Sequence, residues 1–570
     1  MNTAELICAV VSRLGLDTAF GLPGTQLIPL YAALRHSKVR MVLASHELSA
    51  AFMANGYYRA SGRPALLITI PGPGFTYTLN GLAEAKHDSA ALVYVLVRKQ
   101  KPAGGMFGFQ VIDQHALAQP LVKGYLTITS PSEVAGIFQQ ALKLATSGQP
   151  GPVIVEIDVD ILPMSADASA VDFTVGPGKP STSPDAETIV ERLRASKKPV
   201  LLLGQGTQEG SESALKLAEL LCCPVVTTIS GRGVLPEDHS NLVAPDFGLY
   251  GVSIVNELVA ACDLVLAVAC KFSHNGSGGF RLTIPREKLI HVDADPSILN
   301  QNYPASLAVT ADAPTILNSI VKSLAGAKSN WTWTAPEILK WRTRFLQEIR
   351  SVRPHFPQAI DCTPPDISQL FTTLRKLLPR ECTIVADSGL HQYLTRCYFE
   401  IFSVRGLVVP TDYQSMGYGL PAAIGAKLAQ PDRSTVLVTG DGSFAMTGME
   451  LASIVREKVP VTVIVFNDSV LGLIREQQTD LVGHTFGVDL QNPDFELFAA
   501  SMDLPYYLLS DNYEDQLKSA LGETQGALVE IRLRPTSARQ SALARSQFKH
   551  AVKRKVHSSP MGKLWRLFKR

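Results

Sequence analysis

The stretch Gly440-Asp441-Gly442-Ser443-Phe444, followed after roughly two dozen residues by Phe466-Asn467-Asp468, decides the fold of this 570-residue chain. An apolar run before Gly440 and a second one before Asn467 predict two buried strands, and residues 449–458 between them predict a helix. This is the pattern of a βαβ unit, in which the strands are parallel and ligands lie outside the carboxyl ends of the strands.

The polar residues at these two strand ends predict a magnesium site beside a diphosphate site. Asp441 and Asp468 would supply carboxylate oxygens to Mg²⁺, and the backbone carbonyl of Val470 would supply a third ligand. Gly440 and Gly442 let the backbone approach the phosphates, and the N-terminus of the following helix favours negative charge. Alone, the Gly-Asp-Gly sequence would be equally typical of a tight turn, but the paired spacing favours the metal site.

The paired motif resembles the signature of thiamine diphosphate (ThDP) enzymes, in which the second residue of an Asn-Asn or Asn-Asp pair binds the metal. Asp468 stands where many members have Asn, and an aspartate is an adequate or better Mg²⁺ ligand. Residues 471–478 are similar to the corresponding segment of the acetolactate synthase branch. Gln477 stands where many of those enzymes carry Trp, so the resemblance leaves the substrate open.

A second region, residues 20–59, resembles the pyrimidine-binding half of the same family. In the family, a Glu that follows a His hydrogen-bonds a ring nitrogen of the aminopyrimidine, shifts its tautomer and helps its 4′-nitrogen to remove the thiazolium C2 proton. Glu47 follows His46 and occupies that position. Gly24 and Thr25 lie in the matching loop, which implies that they contact the cofactor. A Glu on a helix surface is the simpler alternative for Glu47 alone.

Three further segments match the family. The loop at Pro73 resembles its Gly-Pro-Gly loop, although Tyr77 stands where Asn is usual. The stretch from Phe109 to Asp113 resembles the Phe-Gln-x-x-Asp stretch of the acetolactate synthase branch. This match implies an active-site role for Gln110, with a solvated loop amide as the alternative. Met416 matches the apolar residue that supports the bent cofactor. The other implied cofactor contacts are Ser388, His391, Gln392, Gly440, Gly442 and Ser443.

We therefore predict an α/β protein with three doubly wound parallel-sheet domains, as in the ThDP-enzyme fold. The predicted limits are 1–165 for a pyrimidine-binding domain, 185–325 for a central Rossmann-like domain, 366–534 for a diphosphate- and Mg²⁺-binding domain, and 535–570 for a basic tail. The central region resembles the domain that binds FAD in acetolactate synthases, and ADP or nothing in their relatives. Lys-Phe-Ser-His-Asn at 271–275 replaces the Arg-Phe-Asp-Asp-Arg run of the FAD binders, so FAD stays one alternative.

Composition and charge restrict the classes of partner. The 46% hydrophobic and 18% charged residues are typical of a globular protein, and eight cysteines without a Cys-x-x-Cys indicate neither a zinc site nor a disulfide framework. The N-terminus does not resemble a signal peptide, and no run of about 18 apolar residues occurs, so we expect a cytoplasmic protein.

The tail differs from the rest of the chain. Residues 535–570 hold ten of the 53 Lys and Arg residues and no acid, so the remaining 43 basic residues face 51 acidic ones. Aromatic and basic residues alternate from Lys563 to Arg570, which predicts a weak contact with an anionic membrane. The alternatives are a disordered solubilising tail or a segment that folds over the active site. A short basic tail does not indicate nucleic-acid binding.

The resemblance implies ThDP- and Mg²⁺-dependent decarboxylation of a 2-oxo acid, pyruvate or a close analogue, with carboligation of the enamine to a second carbonyl. The alternatives are a non-oxidative decarboxylase of an unusual 2-oxo acid, a membrane-associated pyruvate oxidase-like enzyme and a catalytically silent binding subunit. The pyrimidine and diphosphate motifs lie on different domains, and in the family these come from different subunits. We therefore expect a homodimer or a tetramer made of two dimers.

Overall fold

A computed structural model describes residues 1–99, 108–167, 185–249, 251–326, 330–352, 358–359, 361 and 366–534. The described residues form three sheets of largely parallel strands flanked by helices, which confirms the predicted α/β class. Residues 168–184, between the first two predicted domains, and the predicted basic tail at 535–570 lie outside the described residues.

The first sheet consists of β1 (Thr18–Gly21), β2 (Arg40–Leu43), β3 (Ala65–Thr69), β4 (Leu92–Arg98), β5 (Gly124–Ile128) and β6 (Pro152–Asp158). Its helices are α1 (Thr3–Arg13), α2 (Ile28–Leu34), α3 (Glu47–Ser61), α4 (Pro73–His87), α5 (Gln114–Ala118) and α6 (Val134–Thr146). The strands are parallel in the order β2-β1-β3-β4-β6-β5, so the direction of winding reverses between β1 and β3. Loops that leave β1 and β3 therefore border a crevice, where ligands of doubly wound sheets bind.

The second sheet consists of β7 (Pro199–Leu203), β8 (Val225–Thr227), β9 (Leu242–Ala244), β10 (Leu264–Val268), β11 (Leu289–Asp293) and β12 (Leu307–Thr310). Its helices are α7 (Asp185–Ala195), α8 (Ser211–Leu221), α9 (Val252–Ala261), α10 (Ala313–Leu324) and α11 (Ala335–Val352). The order is β12-β11-β10-β7-β8-β9, with the reversal between β7 and β10. Both of these strands are apolar and buried along their whole length, as expected where helices cover both faces of a parallel sheet.

The third sheet consists of β13 (Gln358–Ala359), β14 (Cys382–Ala386), β15 (Leu407–Val408), β16 (Ser434–Gly440), β17 (Thr462–Asn467), β18 (Tyr506–Leu508) and β19 (Ala527–Arg534). Its helices are α12 (Ile367–Leu377), α13 (Leu390–Tyr398), α14 (Gly419–Ala429), α15 (Asp441–Thr447), α16 (Leu451–Glu457), α17 (Gly472–Val482), α18 (Phe495–Ala500) and α19 (Tyr513–Gly522). The order is β13-β19-β17-β16-β14-β15, β18 also pairs with β19, and only the short edge strand β13 is antiparallel. The winding reverses between β14 and β16.

Helices α3 and α14 join the first and third sheets through close backbone packing. A Cβ atom added to Gly56 would lie 2.1 Å from the carbonyl oxygen of Ala422, and one added to Gly425 would lie 1.9 Å from that of Met53. Glycine is therefore required at both positions, because any side chain would separate the helices. The two domains share one apolar core as a result, whereas the other face of the third sheet and the central domain each pack in a separate core. Within the described ranges, no helix combines the length and apolar character needed to cross a membrane.

Candidate active site

The two acidic motifs meet at the carboxyl edge of the third sheet. Strands β16 and β17 are adjacent and parallel, and Gly440 pairs in register with Phe466. Asp441 and Asp468 follow these strand ends directly, so both carboxylates lie at one edge. The predicted helix at 449–458 corresponds to α16, but an additional helix, α15, begins at Asp441 itself.

Hydrogen bonds fix the carboxylate of Asp441. Its Oδ1 accepts from the backbone N–H of Gly442 at 2.9 Å, and its Oδ2 accepts from the backbone N–H of Ser469 at 2.8 Å. Asn492 donates from Nδ2 to the same Oδ2 at 2.7 Å and to Oδ1 of Asn467 at 2.9 Å. The sequence reasoning missed Asn492, because no motif surrounds it and it lies far along the chain.

Electrostatics at this edge fit a divalent cation. Burial, together with the nearby charge of Asp441, raises the pKa of Asp468 to about 6, and burial also raises the pKa of Asp441. Asp441 disfavours the ionisation of Asp468, and Mg²⁺, which prefers oxygen ligands, would stabilise both carboxylates in their charged forms. The described part of the chain contains no group of three or more His, Cys, Asp and Glu that could hold a metal, so a carbonyl, phosphate and water would supply the remaining ligands. The carbonyl of Val470 accepts from the N–H of Gly472 at 2.9 Å.

A pocket of about 910 Å³ opens beside the carboxylates, at the point where the third sheet reverses its winding. Its lining includes the predicted residues Ser388, His391, Met416, Gly440, Asp441, Gly442, Ser443, Asp468 and Val470. Apolar side chains of Leu390, Leu471 and Ile474 complete much of its wall. The structure therefore brings most of the predicted diphosphate and metal residues together.

His391 is the notable polar group of this pocket. Cβ atoms added to Gly389 and Gly440 would lie 3.0 and 2.8 Å from its Nδ1, so the two glycines hold the ring between them. Burial lowers the pKa of His391 to about 3, and its buried Nε2 has no hydrogen-bond partner among the residues that the structure describes. A neutral imidazole in this position can donate to a phosphate oxygen. The pocket thus fits an anionic group near the carboxylate pair.

The predicted residue Gln392 lies behind the loop before Met416 rather than among the described residues that line the pocket. It is buried, and its Nε2 donates to the carbonyl of Pro410 at 3.2 Å, which holds the loop before Met416. The same loop contains Gln414 and Gly417 with φ angles of 64° and 78°. A direct contact of Gln392 with a cofactor stays a prediction.

Glu47 lies with a second group of predicted residues at the crevice of the first sheet. It is the first residue of α3 and is half-buried. A Cβ atom on Gly74 would lie 3.2 Å from its Oε1 and 2.7 Å from Cγ1 of Ile70, and a Cβ atom on Gly24 would lie 2.2 Å from Cγ2 of the same Ile70. The loops that carry Thr25 and Pro73 therefore converge with Glu47 around Ile70, a residue that the sequence reasoning did not single out.

Gln110 belongs to the same group. Its Oε1 accepts from Nε2 of Gln26 at 2.5 Å, and a Cβ atom on Gly72 would lie 3.0 Å from its Cβ. Its φ angle of 60° is uncommon for a residue other than glycine, so tertiary contacts hold this loop. Gln110 thus lies beside the Pro73 turn rather than in a free loop.

The two groups do not form one cavity within a single chain. All residues that line the pocket at the third sheet lie between Ser388 and Leu533, as far as the described residues show. The Glu47 group lies on the first domain instead. Large apolar side chains are exposed at both groups: Phe109, next to Gln110, is 74% exposed, and Ile474, which lines the pocket, is 43% exposed. Phe486, which follows α17, is 86% exposed.

Comparison with known proteins identifies the class. The description "Thiamine pyrophosphate enzyme, N-terminal TPP binding domain" matches residues 1–117, the central domain of the same enzymes matches 186–320, and their C-terminal TPP binding domain matches 387–531. The chain belongs to the ThDP-dependent enzymes, as the paired motifs predicted.

Its relatives place it near one branch of that family. A probable acetolactate synthase large subunit of Methanocaldococcus jannaschii is 30% identical over 555 residues, which cover 94% of this chain and 93% of the relative. The acetolactate synthase isozyme 2 large subunit of Escherichia coli is 29% identical, with 91% and 93% covered. A probable 2-ketoarginine decarboxylase of Pseudomonas aeruginosa is 31% identical, with 93% and 94% covered. The chain is thus an acetolactate synthase large-subunit-like member of the family.

Proposed function

We propose that this enzyme uses ThDP and Mg²⁺ to decarboxylate a 2-oxo acid, pyruvate or a close analogue, and to transfer the remaining two-carbon unit to a second carbonyl. The observation that carries the proposal is the carboxylate pair of buried Asp441 and half-buried Asp468 in the same pocket as Nε2 of His391, which has no hydrogen-bond partner among the described residues. This arrangement has room and charge for a magnesium diphosphate.

The residues of the third domain would hold the cofactor. Asp441, Asp468 and the carbonyl of Val470 would bind Mg²⁺, and His391 would donate to a phosphate oxygen. Met416 would support the cofactor between its two rings. When bound, ThDP supplies a carbon nucleophile and an electron sink, which is the chemistry that loss of CO₂ from a 2-oxo acid requires.

Residues of the first domain would take part in proton transfer and hydrogen bonding. Glu47 would hold a proton at a ring nitrogen of the aminopyrimidine, within the apolar surroundings of Ile70. Gln110, which already contacts Gln26, would orient the substrate or the pyrimidine by hydrogen bonding. Both roles require that this surface faces the pocket of the third domain.

A homodimer would bring the two surfaces together, with a tetramer of two dimers as its larger form. The pocket wall in one chain comes from the third domain, and exposed apolar residues lie at both half-sites, Phe109 at one and Ile474 at the other. Phe486 is held outward by two hydrogen bonds between its backbone and the side chain of Gln478, at 2.9 and 3.0 Å. A second copy would bury these side chains and complete each active site.

The central domain could take a nucleotide, with FAD as one alternative. A groove of about 1350 Å³ lies where its sheet reverses winding, between Gly206 and Lys271. Asp293 also lines it, and burial raises the pKa of this carboxyl to about 6. Nζ of Lys271 donates to the carbonyl of His87 at 2.9 Å, across to the first domain. The absorbance spectrum of the purified protein would distinguish flavin from a nucleotide without a flavin ring.

A decarboxylase without ligation is the second candidate. It is favoured by the similarity to the probable 2-ketoarginine decarboxylase of Pseudomonas aeruginosa. In that case the donor would be a longer 2-oxo acid, and an aldehyde would be released instead of a ligated product.

A product assay tests both candidates. Purified protein with ThDP, Mg²⁺ and pyruvate is incubated with and without 2-oxobutyrate or an aldehyde, and products are identified by mass spectrometry while CO₂ is measured. A ligated hydroxy-keto product supports the carboligase. CO₂ release with only an aldehyde supports the decarboxylase, and 2-oxo-5-guanidinovalerate serves as the alternative donor. No turnover of any donor by protein that binds ThDP would contradict both candidates.

A further inference from the structure

Helix α4 presents three polar residues toward the third domain. Asn80, Glu84 and Asp88 are spaced four residues apart, so they lie on one face of the helix and its C-terminal cap. Glu84 and Asp88 are both completely buried. None of the three belongs to the groups at Glu47 or Asp441. We call them the α4 stripe.

The α4 stripe holds one loop of the third domain at successive turns. Oε2 of Glu84 accepts from the backbone N–H of Ser415 at 2.8 Å, and Oδ1 of Asn80 accepts from the hydroxyl of the same serine at 3.2 Å. Oδ1 of Asp88 accepts from the N–H and the hydroxyl of Thr411, at 3.1 and 2.7 Å. The loop from Thr411 to Ser415 is therefore attached to the first domain along its length.

The two acids of the stripe differ in how their charge is compensated. Asp88 pairs with NH1 of Arg59 at 3.2 Å and accepts from Nδ2 of Asn55 at 3.2 Å. Oε1 of Glu84, in contrast, is buried and finds no hydrogen-bond partner within the described ranges. Burial and the charge of Asp88 raise the pKa of Glu84. A carboxyl in this setting costs stability compared with an apolar side chain, which indicates a role other than stabilising the fold.

The loop itself has a backbone that needs external support. Gln414 and Gly417 have φ angles of 64° and 78°, and this region is unfavourable for a residue with a side chain such as Gln414. Ser415 and Met416 lie between them, and Met416 lines the pocket. The hydrogen bond from Glu84 to Ser415 thus acts at the centre of the turn that presents Met416.

We propose that Glu84 is a positioning residue for the cofactor: through its hydrogen bond to the N–H of Ser415, it sets the turn that places Met416 against the pocket. The role rests on the proposed function, because it requires that ThDP occupies this pocket. Glu84 is not among the described residues that line the pocket, and its side chain accepts from the backbone of Ser415, so it acts through the loop.

Simple attachment between the first and third domains is the competing explanation. The chain offers a matched control for it: Glu457 of the third domain forms an ion pair with Arg40 of the first domain, with NH2 and Oε2 3.5 Å apart. This pair joins the same two domains, and the ion pairs and hydrogen bonds of Glu457 in the described part of the chain involve Arg40 and Arg456 rather than the loop at 411–418. Glu457→Gln therefore removes a cross-domain carboxylate without touching the loop.

Calorimetric titration of ThDP into the full-length apo-protein at saturating Mg²⁺ tests the proposal. We expect Glu84→Ala to weaken ThDP binding about tenfold, which corresponds to the loss of one buried hydrogen bond. Glu84→Gln should stay within about threefold of the wild type, because its amide oxygen accepts from the same N–H. Glu457→Gln should bind ThDP as the wild type does. If Glu84→Ala does not fold, Glu84→Asp replaces it, since its shorter side chain withdraws the acceptor from Ser415.

The outcomes separate the two proposals. Equal affinity of the Glu84→Ala, Glu84→Gln and wild-type proteins would overturn the positioning role while leaving ThDP binding intact. An equal loss in Glu84→Gln and Glu84→Ala, or an equal loss in Glu457→Gln, would also overturn it, since the acceptor at Ser415 would then not be the cause. A wild-type protein that binds no ThDP would instead overturn the proposed function, and the positioning role with it.

Discussion

The backbone N–H of Ser469 donates a 2.8 Å hydrogen bond to Oδ2 of Asp441, and so ties together two motifs that lie 28 residues apart in the chain. Asn492 strengthens the connection from a third segment, through its bonds to Asp441 and Asn467. The acidic pair is thus oriented by neighbours before any cation arrives, which reduces the cost of organising the site on binding.

Asn492→Ala should weaken Mg²⁺ binding in the presence of ThDP by about ten- to hundredfold, because it removes hydrogen bonds that orient a metal ligand. Calorimetric titration with Mg²⁺ measures the loss. Asn512→Ala is the control, since Asn512 precedes α19 in the same domain without a side-chain capping bond. Equal Mg²⁺ affinity in both variants would contradict the role of Asn492.

Mg²⁺ affinity should fall as the pH is lowered through about 6, the raised pKa of Asp468. Below this pH the apo-protein holds a proton on Asp468, and Mg²⁺ must displace it. The same pKa affects the stability of the apo-protein. Between pH 3.8 and about 6 the folded chain keeps a proton on Asp468 that the unfolded chain has lost, so the free energy of unfolding decreases as the pH rises through this range. Mg²⁺ titrations below and above this pH range test whether the Mg²⁺ affinity falls as the pH is lowered. Asp468→Asn should give a shallower pH profile, and an unchanged profile would refute the assignment.

Glu47→Gln should lower kcat by about 10² to 10⁴, because the amide cannot exchange a proton with the pyrimidine nitrogen. ThDP affinity should change by about tenfold or less, the equivalent of one hydrogen bond. Exchange of the C2 proton of bound ThDP with deuterated water, followed by NMR, isolates the step. Turnover and exchange at the wild-type rate would rule out the proposed role of Glu47.

Gly440→Ala should damage ThDP binding more than Gly442→Ala. The new Cβ at position 440 would lie 2.8 Å from Nδ1 of His391, whose buried ring is confined by Gly389 on its other side. At position 442 the nearest atom would be Cδ2 of Leu471 at 2.7 Å, the end of a flexible side chain that can move. Titration of ThDP into each variant compares them. A stronger loss in Gly442→Ala would show that His391 is not held as described.

Phe486→Asp should shift the protein toward monomers and lower its activity in parallel, because it places a charge on the surface that a second copy would bury. Sedimentation velocity and activity over a series of protein concentrations measure both. Leu220→Asp is the matched control, since Leu220 is also an exposed apolar residue but lies on α8 of the central domain. An active monomer of either the wild type or the variant would contradict the shared active site.

The fold class and most of the third-domain site could be predicted because their signals are local in sequence. Apolar runs that end in Gly440 and Asn467 predict parallel strands, and such strands deliver Asp441 and Asp468 to one edge whatever the rest of the chain does. The family resemblance added Glu47 and Met416 at recognisable motifs. The limits of the three domains and the roles of the site residues stay predictions.

The amino-acid sequence by itself thus determined the carboxylates at the sheet edge, since hydrophobic periodicity acts over a few residues, and its motifs indicated the class of enzyme through their resemblance to the ThDP family. Only the tertiary structure decided which distant groups orient that site. Asn492 reaches Asp441, and Glu84 reaches Ser415 across 331 residues. Such contacts depend on how helices and loops pack in the folded protein, and the pattern of apolar and polar residues along the chain does not predict them. The separation of the Glu47 group from the pocket has the same origin, because the packing of α3 against α14 sets where each surface faces.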